Sequence, residues 1–183
     1  MWQLSKPEQT FLLSLARRTI EAHLQDRPIS LPPDVPPGPL HAPCGAFVTL
    51  TRNHRLRGCI GYTTAAKPLF ETIMDCALAA ATQDPRFPPL SLEELPQIEI
   101  EISVLSPFSE LKDVGKIEVG KHGLMISRGG RHGLLLPQVA TEYHLTRDQF
   151  LDQACLKAGL PALAWKEAGT KITAFTAFVF GEE

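Results

Sequence analysis

The residues best suited to chemistry lie in one run, Arg52-Asn53-His54-Arg55-Leu56-Arg57-Gly58-Cys59-Ile60-Gly61. It sets three arginines and a histidine just before a cysteine with a glycine on one side and a second glycine two residues on. A thiol beside a guanidinium is expected to ionise more readily than a free one, and the thiolate is the nucleophilic form. Gly58 and Gly61 expose backbone N–H groups that can hold an anion or an oxyanion. Cys59 and Arg57 are therefore the candidate catalytic pair. Gly58, Gly61, Arg55 and Thr49 are candidate ligand-binding residues. Against this stands the habit of cysteine to behave as a small buried hydrophobe.

The remaining chemistry-bearing residues offer less. His122 in Gly120-Lys121-His122-Gly123 and His132 in Gly130-Arg131-His132-Gly133 occupy glycine-bounded turns, which would let either approach a cleft as an acid–base group. His122 joins the candidate list as its weakest member, and a polar turn residue is the alternative. Arg52, Arg55, Arg57, Arg128 and Arg131 together would suit a phosphate or carboxylate, unless they form a solvated basic face. Cys76 and Cys155 fall in apolar helical stripes and read as core. Cys44, at the end of a proline-rich stretch, reads as exposed. The four cysteines form no Cys-x-x-Cys pair and have no paired histidines nearby, so no zinc site is expected. No glycine-rich phosphate loop occurs, and no cofactor can be named.

These residues need a scaffold, and the hydrophobic pattern supplies one. Ser5 and Glu8 form a capping box ahead of a helix over 6–24. The alternation of 45–51 and the return of 56–62 predict a hairpin. A three-residue loop would pair Leu50 with Gly58 and Val48 with Ile60, leaving Arg57 and Cys59 opposite Thr51 and Thr49 on a polar face. A one-residue slip would turn every side chain over. Residues 67–83 predict a helix with Pro68 in its first turn, and 98–105 a strand with Ile98, Ile100, Ile102 and Val104 on one face. Glu99 and Glu101 on the other face read as solvated. Short strands follow at 117–119, 124–127 and 134–136, the last stopped by Pro137. Thr146 and Gln149 cap another helix, with Gly159 as its C′ residue. Residues 172–180 close the chain as a strand. The class is α+β, a mainly antiparallel sheet flanked by helices.

Composition narrows the function classes. Of 183 residues, 16 are proline, and seven of these lie between Pro28 and Pro43. That stretch is too long for an ordinary loop and too local for general disorder, and is expected to pack along the domain near the hairpin. The formal net charge of −2 counts against nucleic acid as a partner. No run is long and apolar enough for a membrane span, no signal peptide is read at the N-terminus, and four free thiols fit the cytoplasm.

At Leu56-Arg57-Gly58-Cys59-Ile60-Gly61 the chain resembles the AMMECR domain family, the A component of the AmmeMemoRadiSam grouping. The likeness continues through Asp84-Pro85-Arg86-Phe87, Ile100-Glu101-Ile102-Ser103-Val104-Leu105, His122-Gly123-Leu124, Gly133-Leu134-Leu135-Leu136-Pro137-Gln138-Val139-Ala140, Lys157-Ala158-Gly159-Leu160 and Trp165. It departs at Leu145, near where the family often carries tryptophan. The resemblance implies one AMMECR-type domain over 1–183 with a larger and a smaller lobe, the hexapeptide lying in the larger. It also implies a Memo-like protein and a radical S-adenosylmethionine enzyme as partners. No reaction comes with it. Two readings follow: a cleft centred on Cys59 that binds or modifies a small or peptide substrate, or a non-catalytic adaptor using the Arg-rich turn or the proline arm.

Overall fold

The computed structural model describes residues 3–182. In chain order the regular elements are α1 (Lys6–Leu24), β1 (Ala46–Arg52), β2 (Arg55–Tyr62), α2 (Leu69–Thr82), β3 (Ile98–Leu105), β4 (Ser109–Glu110), β5 (His122–Arg128), β6 (Arg131–Leu135), α3 (Pro137–Glu142), α4 (Arg147–Lys157) and β7 (Lys171–Gly181). The strands pair antiparallel, so the protein is α+β. Its contacts divide it into two compact units. The larger runs to Leu105 and takes up the chain again at Phe178; the smaller is Ser106–Ala177.

In the larger unit the strand order is β2-β1-β3, followed by the end of β7. Val48 and Leu50 of β1 and Ile98, Ile100, Ile102 and Val104 of β3 point to one face and are buried. Against that face packs α2, with Ile73, Ala77, Ala80 and Ala81 in the core, and α1 covers α2 with Leu12, Leu15, Ala16 and Ile20. Each fully buried Leu or Ile of this set contributes roughly 1.5–3 kcal/mol. The capping box of α1 is formed, the Glu8 carboxylate accepting both the N–H and the hydroxyl of Ser5. Arg17 on α1 reaches the chain end, with Nε donating to Glu182 Oε1 at 2.8 Å and Nη2 to the Ile98 carbonyl at 2.6 Å.

The proline-rich stretch begins over α1 beside Leu15, Thr19 and Ala22. It is pinned at Leu40, which is fully buried. Its far end is tied to the segment after β2, with Pro43 bridging Pro68 and Leu69 N–H donating to the Ala42 carbonyl at 3.0 Å. Cys44 is buried there and not exposed as its position suggested, because this anchor closes over it. Pro68 sits just before α2 as its N-cap, with an extended backbone, and not within the first turn.

In the smaller unit β6, β5 and β7 pair in that order and β4 joins the other side of β7. Leu124, Ile126, Ile172 and Ala174 meet Phe150, Leu151, Ala154 and Cys155 of α4 in a second core. The Thr146–Gln149 cap is present, and Gly159 has φ +71° at the end of α4. One sequence expectation changes here, and two short elements appear that the sequence did not announce. Residues 117–119 are not a strand, since only Ile117 is buried and a backbone turn ties Lys121 N–H and His122 N–H to the Glu118 carbonyl. Pro137 does stop a strand, but it also opens the short helix α3, a first-turn role that suits its fixed φ. The two-residue β4 carries no periodicity to read.

Candidate functional site

The hairpin places Cys59 where the pattern requires, by a different construction. Its loop has two residues, not three: Arg52 pairs with Arg55, and Asn53 and His54 take φ of +51° and +59°. Such a turn matches the twist of the flanking strands. The extra residue falls instead inside β2, where the register shifts between Leu50 and Thr51. Thr51 faces Leu56, Leu50 faces Gly58, and Arg57 is the bulged residue with no single partner on β1. Beyond the bulge Thr49 faces Cys59 and Val48 faces Ile60, the expected register.

Both glycines of the hexapeptide are demanded by close approach. A Cβ on Gly58 would lie 2.2 Å from the Ala80 carbonyl oxygen of α2, and one on Gly61 would lie 2.3 Å from the Phe47 ring. Gly58 lets α2 settle onto the hairpin. Gly61 makes room for a ring on the Cys59 face.

On that face a thiol, a hydroxyl and a carboxyl lie in one row across β2, β1 and β3, since Thr49 faces Cys59 on one side and Glu101 on the other. Directly opposed side chains of neighbouring strands start about 5 Å apart. The Thr49 hydroxyl donates to Cys59 Sγ at 3.2 Å. The Cys59 N–H donates to Asp84 Oδ2 at 2.9 Å. Asp84 is buried and is held by Arg86, whose Nε and Nη2 donate at 3.0 and 2.7 Å. The hydrogen bonds from Arg86 hold the Asp84 carboxyl well below the usual carboxylate range.

Burial is the largest influence on the Cys59 thiol and pushes its pKa up; Asp84 and Glu101 add to this, while the Thr49 hydroxyl and the Arg86 charge oppose it. The expected depression by Arg57 is not found. Arg57 Nε and Nη2 each donate at 3.0 Å to the Glu94 carboxylate, and Nη1 donates to the Pro88 carbonyl. Its charge lies instead over the Phe87 ring, 5.9 Å from the centroid. The bulge sends this side chain to the segment that follows α2. Partial desolvation against the sheet also pushes the Glu101 carboxyl up, although the residue as a whole is exposed.

The other candidates separate. Arg55 is exposed at the hairpin tip and, with Arg52, Asn53, Leu56 and Arg57, lines a cavity of about 520 Å³. Arg52 is drawn away to Gln97 and Glu94. Arg128 and Arg131 belong to the smaller unit, where they bond Glu167 and the Gly159 carbonyl. His122 is in the smaller unit too, its Nδ1 accepting the Glu118 N–H at 3.0 Å within a turn. Among the described residues no three His, Cys, Asp or Glu side chains gather in a way that could hold a metal ion. No helix among the described residues is long and apolar enough to cross a membrane. Asp84, Arg86 and Glu94 are the site neighbours that residue-by-residue reading passed over, while Glu101, read as solvated, is exposed on β3 opposite Thr49. The Asp-Pro-Arg spacing carried the available signal, because proline after Asp84 ends α2 and leaves the carboxylate to turn inward.

An α+β unit with an edge hairpin, tied by a buried aspartate that an exposed arginine holds, is thus the class of protein. A family model described as AMMECR1 matches residues 13–180, and the chain belongs to that family. A protein of Methanothermobacter thermautotrophicus is 42% identical over 98% of this chain and 97% of its own length. Protein TK0174 of Thermococcus kodakarensis is 41% identical over 100% of this chain and 94% of its own. The crystal structure of uncharacterized protein PH0010 from Pyrococcus horikoshii superposes with a TM-score of 0.93 at 41% identity, covering 100% of this chain and 95% of that one.

Proposed function

We propose that the chain is a binding domain that presents the Cys59–Thr49–Glu101 face to a small or peptide ligand, with a Memo-like protein and a radical S-adenosylmethionine enzyme as its partners. In this reading the thiol is a protonated contact group and not a nucleophile. The observation that carries it is the surroundings of Cys59. Burial raises the thiol, the arginine two residues before it is engaged by Glu94, and no histidine is among the groups acting on it. A neutral thiol, a hydroxyl and a carboxyl with a raised pKa suit hydrogen bonding to an uncharged polar ligand.

The alternative, thiolate chemistry, draws on Thr49 and Arg86, which both favour the ionised form. One titration separates the two. The rate of iodoacetamide labelling at Cys59, followed by mass spectrometry across pH, is expected to have its midpoint above the ~8.5 of a free thiol. A midpoint well below that value would restore the catalytic reading. Adding the purified Memo-like protein is expected to slow the labelling; an unchanged rate at saturating partner would remove this face from partner binding.

A further inference from the structure

The strand that carries Cys59 has a second chemical feature at its far end. β2 is the edge strand of its unit, and the Cys59 N–H, bonded to Asp84, points away from β1. The register continues unshifted to Phe47 opposite Gly61 two residues on, so the N–H and carbonyl of Gly61 point the same way. The Asp84 cover reaches only Cys59. Among the described residues no acceptor is found for the outward Gly61 N–H.

A cavity of about 460 Å³ opens at that point, with Gly61, Tyr62, Ala66, Lys67, Thr72 and Asp75 in its wall. The volume falls within the usual range for small-molecule sites. Lys67 Nζ and Asp75 Oδ2 stand 2.6 Å apart, with side chains 53% and 43% exposed. An ion pair this open to water contributes little and parts readily for a ligand that replaces both halves. Tyr62 and Ala66 add apolar surface. The loop bearing Lys67 is fixed from behind: its carbonyl accepts the Cys44 N–H at 3.4 Å and the Thr72 hydroxyl at 3.4 Å, and Pro43 bridges the neighbouring Pro68.

We propose that this cavity binds a small zwitterion of amino-acid or dipeptide type with an apolar side chain. The carboxylate takes Lys67 and the Gly61 N–H, the ammonium takes Asp75, and the side chain lies along Tyr62 and Ala66. A simple anion would face the Asp75 carboxylate, and a simple cation the Lys67 ammonium. Only a ligand with both charges satisfies both groups, and the unpaired Gly61 N–H in the same wall as the lysine sets the carboxylate end. The site does not rest on the role proposed for Cys59, and it is tested without any partner protein.

The probe is the dipeptide Gly-Phe, titrated into the full chain by ligand-observed NMR alongside its N-acetyl and C-amide forms and sodium acetate. Saturable binding with a dissociation constant of about 1 mM or tighter is expected for the free dipeptide. Blocking either end should weaken it about tenfold, as should Lys67→Gln and Asp75→Asn, because each removes one charged partner. Both substitutions are at half-exposed positions, and the melting temperature is read in parallel to establish that each variant is folded. Equal binding of the blocked forms, competition by acetate at the same concentration, wild-type affinity in both variants, or no saturation by 10 mM (~10 times the expected constant) would each overturn the assignment.

Discussion

Gly58→Ala is the sharpest perturbation available in the hexapeptide. The added Cβ would sit 2.2 Å from the Ala80 carbonyl oxygen and 3.2 Å from its carbon, and real Cβ atoms essentially never come within 3.0 Å. The gap must therefore widen by at least 0.8 Å, the difference between 3.0 and 2.2. Both walls are backbone, one a strand and the other a helix whose Ile73, Ala77, Ala80 and Ala81 are buried. No side chain can swing aside. Opening a packed seam by 0.5–1 Å forfeits about a quarter to a half of its dispersion contacts. Overpacking of this kind costs roughly 1–3 kcal/mol, with backbone walls at the upper end. The lower chain entropy of alanine returns about 0.5–1 kcal/mol. The net loss is about 2–2.5 kcal/mol, or roughly 4–10 °C in melting temperature for a chain of this length. Thermal and urea unfolding followed by circular dichroism measure it. Gly130→Ala, at φ +79° with nothing within 4 Å of the added carbon, is the control for conformational strain alone, worth about 1–2 kcal/mol. A Gly58→Ala loss no greater than that of the control would refute the packing argument.

Other expectations follow from the same geometry. Glu94, lowered to about 2 by its hydrogen bonds from Arg57, contributes stability that is fully present above the ordinary glutamate range near 4.5 and fades as pH falls toward 2. That contribution is on the order of 3 kcal/mol, so Glu94→Gln should flatten the acid limb of a urea stability–pH profile; an unchanged limb would remove the pair from the account. Asp84→Ala leaves the Cys59 N–H without its acceptor and should cost about 1–3 kcal/mol while hastening iodoacetamide labelling of Cys59, both read on the same samples. His54→Gly relieves a side chain held at φ +59° and should raise stability by about 1 kcal/mol in urea unfolding; a loss would contradict the turn geometry. Arg17→Ala severs the chain-end contact at Glu182 and should cost about 1–2 kcal/mol, with hydrogen exchange quickening first at Ile100, whose N–H also bonds Glu182.

The elements that bury a face were readable because burial imposes a period. β3 alternates Ile with Glu and Ser, and α1 and α4 carry capping boxes, so their positions follow from side chains alone. The hairpin register was readable for the same reason: Val48, Leu50 and Ile60 must share a face. Its loop length was not, because a two-residue turn with a bulge and a three-residue loop give the same register beyond Gly58. Only the backbone of Asn53 and His54 separates them. β4 and α3 are too short to show a period, and Cys44 is buried by an anchor formed with residues more than 20 positions away.

The misreading of Arg57 carries the larger lesson for the site. Two residues apart on one strand, Arg57 and Cys59 would share a face, but the bulge at Arg57 breaks the alternation and turns its side chain toward Glu94 and the carbonyl of Pro88. The charge that does act on the thiol comes from Arg86, 27 positions on, and most of it is already engaged with Asp84. Five of the six hexapeptide residues then have structural tasks. Arg57 clamps the segment after α2, Gly58 admits α2, and Ile60 packs against the core. Gly61 admits the Phe47 ring, and the Cys59 N–H is satisfied by Asp84. A motif whose backbone is so closely dictated would be preserved by folding alone. Its function must therefore be sought in what folding leaves unexplained: the Cys59 thiol itself, the raised Glu101 carboxyl on the same face, and the unpaired Gly61 N–H at the edge.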